Sequence, residues 1–86
     1  NSTYLDTYAW ILFMQQRYSE SRIYIDQALK NKDDSLDNAV ILEHAGDIYS
    51  FCQQPDQALV YWQDALKTAP ENQVLIRKIK LKKYVK

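Results

Sequence analysis

Apolar residues recur along this chain at intervals of three and four, the spacing that holds them on one face of an α-helix. Leu5, Tyr8, Ala9, Leu12 and Phe13 form one such series, and Ile41, Leu42, Ala45, Ile48, Tyr49 and Cys52 form another. A second series follows each: Ile25, Ala28 and Leu29 in the first case, and Leu59, Trp62, Ala65 and Leu66 in the other. The pattern predicts two helical pairs. Within the first pair the second helix is expected to start after Ser19, a good N-cap, with Glu20 in the first turn. Its counterpart opens at Pro55, whose restrained φ suits the first helical position. Residues 31–35 form a polar connector, Pro70 closes the second pair, and a fifth helix is expected over residues 71–84.

The two pairs are copies of one unit. Shifted by 37 residues, Tyr24, Ala28, Leu29 and Lys30 fall on Tyr61, Ala65, Leu66 and Lys67, and Leu5 falls on Leu42. Near matches agree in size and chemistry: Ala9 on Gly46, Ser21 on Ala58, Asp6 on Glu43, Ile23 on Val60, and Ile25 on Trp62. The chain is thus two units and a tail.

These residues resemble the tetratricopeptide repeat, a helix-turn-helix unit of about 34 residues. In the second unit Leu42, Ala45, Gly46, Tyr49, Ala58, Trp62, Ala65 and Pro70 stand at the family's spacing. The first unit is degenerate, with Leu5, Tyr8, Ala9, Leu12, Ser21, Ile25 and Ala28 in place but Asp33 where the terminal proline belongs. Its longer period fits a three-residue insertion in the connector over residues 31–38. The resemblance implies an all-α fold, a right-handed helical-hairpin solenoid or α-α superhelix. Its units span 2–35 and 39–70, and a capping helix spans 71–84. It further implies the C-terminal repeats of a longer, bacterial repeat protein.

Packing explains the small residues. Paired helices cross closely, and a side chain larger than methyl or hydroxymethyl at Ala9, Ser21, Gly46 or Ala58 would separate their axes. Continuing the second unit's period of 34 maps Gly46 onto Lys80, which does not fit between packed helices. The last helix therefore reads as a terminal cap, apolar toward the second unit through Ile76 and Ile79 and polar outward. The first helix is the opposite case. Tyr4, Leu5, Tyr8, Trp10, Ile11, Leu12, Phe13 and Met14 project around nearly its whole circumference, so a preceding repeat or a second copy of the chain is expected to pack there.

In this family ligands lie in the concave groove lined by the first helix of each pair. The resemblance implies Thr3, Asp6, Trp10 and Phe13 from the first unit and Val40, Glu43, Asp47 and Ser50 from the second as groove residues. Arg77, Leu81 and Tyr84 complete the set from the cap. Asp6, Glu43 and Asp47 make its centre acidic, while Trp10, Phe13 and Tyr84 offer aromatic anchors. A basic or amphipathic peptide fits such a surface. Members that grip acidic chaperone tails use Lys, Arg and Asn there, so that activity is not expected here.

Composition narrows the function further. One Gly, two Pro and one Cys among 86 residues suit helices and exclude a disulfide framework or a cysteine-based zinc site. His44 is the single histidine, and the zinc-protease helix motif would need a second histidine at position 48, which is Ile48. His44 reads as an exposed helix residue and Cys52 as a buried, inert thiol. No catalytic machinery, metal site or cofactor site is visible. The longest apolar run, residues 9–14, falls far short of the roughly 20 residues a membrane span needs. A soluble chain, cytoplasmic or periplasmic, is expected, and no targeting signal is visible.

Charge is where the averages mislead. Residues 1–76 hold five Lys+Arg against all 11 Asp+Glu, a net of −6. Residues 77–86 hold Arg77, Lys78, Lys80, Lys82, Lys83 and Lys86, a net of +6. Cations at a helix C-terminus complement its dipole, but six exceed that need. A tail docked on its own acidic groove, or on a neighbour's, accounts for the excess. The function expected is a protein-interaction scaffold that binds a partner peptide in its groove, without catalysis. The alternatives are self-assembly through the apolar first helix and, third, attachment of the basic tail to nucleic acid or an anionic surface. The acidic body and the interleaving of apolar and basic residues weigh against nucleic acid and membrane as partners.

Overall fold

The computed structural model describes residues 2–31 and 38–84, with side chains from residue 4 onward. These residues form five α-helices: α1 Ser2–Met14, α2 Tyr18–Lys30, α3 Ala39–Phe51, α4 Pro55–Thr68 and α5 Gln73–Leu81. Among the described residues there is no strand, and no helix is long and apolar enough to cross a membrane. Each helix packs on the next, and α3 also touches α1. Of the expected connector over 31–35, and of unit one's last residues, everything beyond Asn31 lies outside the described residues.

The repeat extends to the backbone. Gln16 and Gln53, 37 residues apart, both take left-handed conformations, with φ of 64° and 60°. Beyond them Arg17 N–H donates to the Leu12 carbonyl at 2.9 Å, and Gln54 N–H donates to the Tyr49 carbonyl at 3.1 Å. These six-to-one bonds close the first helix of each pair in a Schellman turn. That turn, and not Ser19, sets where α2 begins. The helix starts at Tyr18 with Arg17 at the N-cap, so Ser19 lies inside the first turn and caps nothing. Arg17 instead pairs with Glu20 at 3.0 Å. Pro55 opens α4 as expected, at the equivalent position.

Close helix crossings carry the core. In unit one the Ser21 hydroxyl donates to the Ala9 carbonyl at 2.7 Å, and both residues are fully buried. In unit two Gly46 faces the indole of Trp62, and a Cβ built at residue 46 would overlap that ring. Even a methyl is too large there, a tighter limit than the sequence suggests. Glycine within a helix costs about 1 kcal/mol. Burying an indole completely stabilises by on the order of 3 kcal/mol, so the exchange favours the fold. Ala28, Ile25, Ala45, Ile48, Ala58 and Ala65 join Trp62 in the core, as their spacing predicts.

The cap departs most from expectation. Its helix is shorter than residues 71–84: Asn72 caps it by accepting from Leu75 N–H at 3.1 Å, and Lys82, left-handed at φ 56°, ends it. Tyr84 lies beyond that turn and packs back against the other helices. The inward face is Leu75, Lys78 and Ile79, with Leu75 fully buried and Lys78 2% exposed. Ile76, expected inward, is 38% exposed. Leu75, Lys78 and Ile79 stand 34 residues after Ile41, His44 and Ala45, so α5 continues the stripe by which α3 packs.

Candidate functional site

Residues spaced three and four apart on α1 and α3, together with α5, present side chains to one common face. From α1 come Asp6, Trp10 and Phe13; from α3 come Glu43, His44 and Asp47. A cavity of about 240 Å³ opens on this face, lined by Trp10, Glu43, His44, Asp47, Val74, Lys78 and Tyr84. Four of the expected groove residues, Trp10, Glu43, Asp47 and Tyr84, therefore meet around one cavity.

The carboxylates of this face are not free. Asp6 Oδ1 lies 2.7 Å from His44 Nδ1, joining α1 to α3. Glu43 Oε2 accepts from Lys78 Nζ at 2.8 Å, joining α3 to α5. Asp6 and Glu43 are equivalent across the 37-residue shift, and His44 and Lys78 across the 34-residue one. One contact is thus made twice, a carboxylate reaching forward to a basic side chain on the next first helix. The second rung carries more charge, because Asp47 Oδ1 also accepts from Lys78 at 2.7 Å. Trp62 Nε1 donates to the same Asp47 oxygen at 3.1 Å. Burial pushes the Asp47 carboxyl up to about 6, outweighing the opposing pull of Lys78 and of the indole N–H.

Aromatic rings surround the rungs. Trp10 stacks on His44, with centroids 4.0 Å apart, and on Phe13 at 4.7 Å. Phe13 is buried, with Phe51 and Tyr84 each presenting an edge-on contact. The Lys78 ammonium lies 5.2 Å from the centre of the Tyr84 ring, within cation–π range. Burial raises the Tyr84 phenol above its ordinary range.

The remaining expected groove residues lie elsewhere or do other work. Val40 is exposed, and the Ser50 hydroxyl donates to the Asp47 carbonyl within its own helix. Arg77 and Leu81 line a separate depression with Gln73, Ile76 and Lys80. The Thr3 side chain lies outside the described residues. His44, expected to be exposed, is tied between Asp6 and Trp10. Lys78 is the residue that sequence reasoning missed as a site residue, though a docked tail was expected in general terms. The signal lay in the spacing: Lys78 stands one period of 34 after His44, the partner of Asp6.

A larger cavity, about 510 Å³, lies between α2 and the end of α3, lined by Tyr18, Ser19, Arg22, Ile23, Asp26, Phe51, Cys52 and Gln53. Its polar groups largely satisfy one another. The Tyr49 hydroxyl donates to Asp26, and the Arg22 guanidinium sits 5.0 Å from the Tyr49 ring centre. The half-buried Cys52 thiol points to the Tyr18 carbonyl at 3.6 Å, and burial raises its pKa. The smaller cavity is the better candidate site, because helices from both units and the cap converge on it. Among the described residues, no group of three or more His, Cys, Asp or Glu side chains is placed to hold a metal ion.

Among the described residues, fold and site together define an all-helical arrangement whose consecutive first helices are tied by buried or half-buried charge pairs. No family model, curated protein or solved structure matches the chain.

Proposed function

We propose that this chain is a tetratricopeptide-type repeat segment acting as a protein-interaction scaffold, and that the α1, α3 and α5 face takes a peptide segment of a partner. The right-handed superhelix belongs to the same proposal, and the packing of each helix on the next supports it. The observation that carries the reading is the convergence of Trp10, Glu43, Asp47 and Tyr84, from three parts of the chain, on one cavity.

The internal pairing sharpens which residue selects a partner. Asp47 is sealed from solvent, its side chain 2% exposed, whereas that of Glu43 is 22% exposed. Asp47 and Glu43 together outnumber Lys78 by one negative charge. A basic side chain of a partner is therefore drawn to Glu43, with Trp10 and Tyr84 as the neighbouring aromatic surfaces. No catalytic step is part of this proposal.

Selection from a displayed peptide library against the intact chain tests it. Enriched peptides are expected to carry Lys or Arg beside an apolar residue. Trp10→Ala and Glu43→Gln are each expected to weaken the best peptide by about tenfold or more while helicity is retained. Absence of basic peptides from the enriched set, or binding indifferent to both substitutions, would refute the proposal.

A further inference from the structure

Of the five cations over residues 77–83, only Lys78 meets a carboxylate. Arg77, Lys80, Lys82 and Lys83 are exposed, and among the described residues none of them forms an ion pair. Docking of α5 on the acidic body therefore leaves most of the basic charge over. Arg77 and Lys80 share a depression of about 360 Å³ on the outward side of α5 with Gln73, Ile76 and Leu81. Ile76 and Leu81 are 38% and 48% exposed. Helical geometry orders this face as Ile76, Lys80, Arg77 and Leu81, two cations between two apolar flanks, opposite the buried Leu75 and Lys78.

That order selects among anionic partners. A helix lying on a lipid surface puts apolar residues at its centre and cations at its edges, the reverse of this face. Single-stranded nucleic acid is held by rings on which bases stack, and no ring lines the depression. A duplex backbone offers phosphates to Arg77 and Lys80 but nothing apolar to Ile76 and Leu81. A protein helix whose carboxylates are flanked by apolar side chains answers both.

The repeat supplies the register. Asp6 and Glu43 each reach forward to a basic side chain on the next first helix, and Arg77 holds the same position 34 residues after Glu43. The position is kept and its sign is inverted, so its counterpart is a carboxylate. A helix packed as α4 packs on α3 does not fit here: Lys80 stands 34 residues after Gly46, where even a Cβ would overlap Trp62. A second copy of the chain does not fit either. Of the carboxylates on its described helices, Asp56 alone lacks a bonded partner, a single charge against four. We propose that the outward face of α5 docks an acidic, amphipathic helix of another protein, with Arg77 and Lys80 pairing its carboxylates and its apolar residues covering Ile76 and Leu81.

Fluorescence anisotropy on the intact chain tests this with a labelled helical peptide of about 16 residues, carrying Glu and Leu on one face at three- and four-residue spacing. A Kd on the order of 10 µM is expected at about 0.05 M salt, weakening about tenfold at about 0.5 M. Arg77→Glu is expected to weaken binding about tenfold or more, whereas Lys30→Glu, the same change of net charge at an exposed site on α2, leaves it within about twofold. Ile76→Ser combined with Leu81→Ser is expected to cost about fivefold. All these positions are exposed, so circular dichroism should show the variants folded. An oligothymidine of similar charge, and vesicles of phosphatidylcholine with about one-third phosphatidylserine, are expected to bind at least about tenfold more weakly than the peptide at equal salt. Four results would overturn the proposal: no binding of the acidic peptide, equal losses from Arg77→Glu and Lys30→Glu, no loss from the double serine variant, or an oligonucleotide or vesicle that binds as tightly as the peptide. None of the substituted residues lines the Trp10 cavity, so the basic-peptide reading can fail independently of this one.

Discussion

The two rungs that join successive first helices use the same positions with different chemistry. In the first rung Asp6 meets His44, a base that carries charge only when protonated, with side chains 9% and 21% exposed. In the second, Lys78 is gripped by Glu43 and Asp47, and the lysine side chain is 3% exposed. Position 10 in unit one holds Trp10, whose ring covers His44, while its equivalent in unit two is Asp47. The lower rung is thus an aromatic stack with one polar contact, and the upper is a buried charge cluster. The repeat conserves geometry while leaving polarity free to vary.

Removing the basic partner exposes that difference most. Lys78→Met leaves Glu43 and Asp47 adjacent and Asp47 buried without its cation, and breaking a buried pair from one side costs about 3 to 5 kcal/mol. Asp6→Asn keeps an acceptor toward His44, in a setting less buried than that of Lys78 and Asp47, and is expected to cost about 1 kcal/mol. Urea unfolding monitored by circular dichroism measures both. Equal costs would mean that the two rungs are energetically alike and that burial of Lys78 is inconsequential.

A smaller effect separates the rungs by pH. Asp47 titrates near 6 in the folded chain against an ordinary value of 3.8, so between these values the folded state holds more protons than the unfolded one. A raised carboxyl pKa gives stability that is full below the unfolded value and is lost as pH rises through the folded one. Lowering the pH from about 7 to about 5 is therefore expected to add about 1 kcal/mol to stability through Asp47. Asp47→Asn, which keeps an acceptor for Trp62, should lack this increment. Parallel pH curves for the two proteins would show that Asp47 is not the group responsible.

What could be read beforehand follows from how each feature is encoded. The helix pairs, the core positions and the close approach at Gly46 leave marks of spacing and size, and one unit checks the other. Lys78 left only its place one period of 34 after His44, which points inward only once His44 is seen to pair with Asp6. A lysine between Leu75 and Ile79 reads as solvent-facing, and only partners 31 and 35 residues away reverse that preference. Ile76 reads as inward for the same reason, because it is the apolar residue nearest a position that a lysine fills. Asp6, Glu43 and Asp47 were legible as one acidic face, but their neutralisation was not, because it depends on where α5 lies against α3. The left-handed turns were hidden as well, since glutamine is not a residue type that marks them; only the coincidence of Gln16 and Gln53 at the repeat spacing points there.

Those turns give the finest comparison, because here the two units are alike. A non-glycine residue in the left-handed region carries a cost of roughly 1 to 2 kcal/mol, which glycine avoids. Glycine also gives the unfolded chain more freedom, which offsets part of the gain. Gln16→Gly and Gln53→Gly are each expected to stabilise the chain by about 0.5 to 1 kcal/mol. The sites lie in separate turns, so the double variant should gain nearly the sum. Thermal unfolding of the two single variants and the double variant measures the equivalence directly. A gain at one turn and a loss at the other would mean that the glutamine side chain does work in one unit that it does not do in the other. The hairpin turns would then diverge as the rungs do, and the likeness of the units would stop at the placement of their helices.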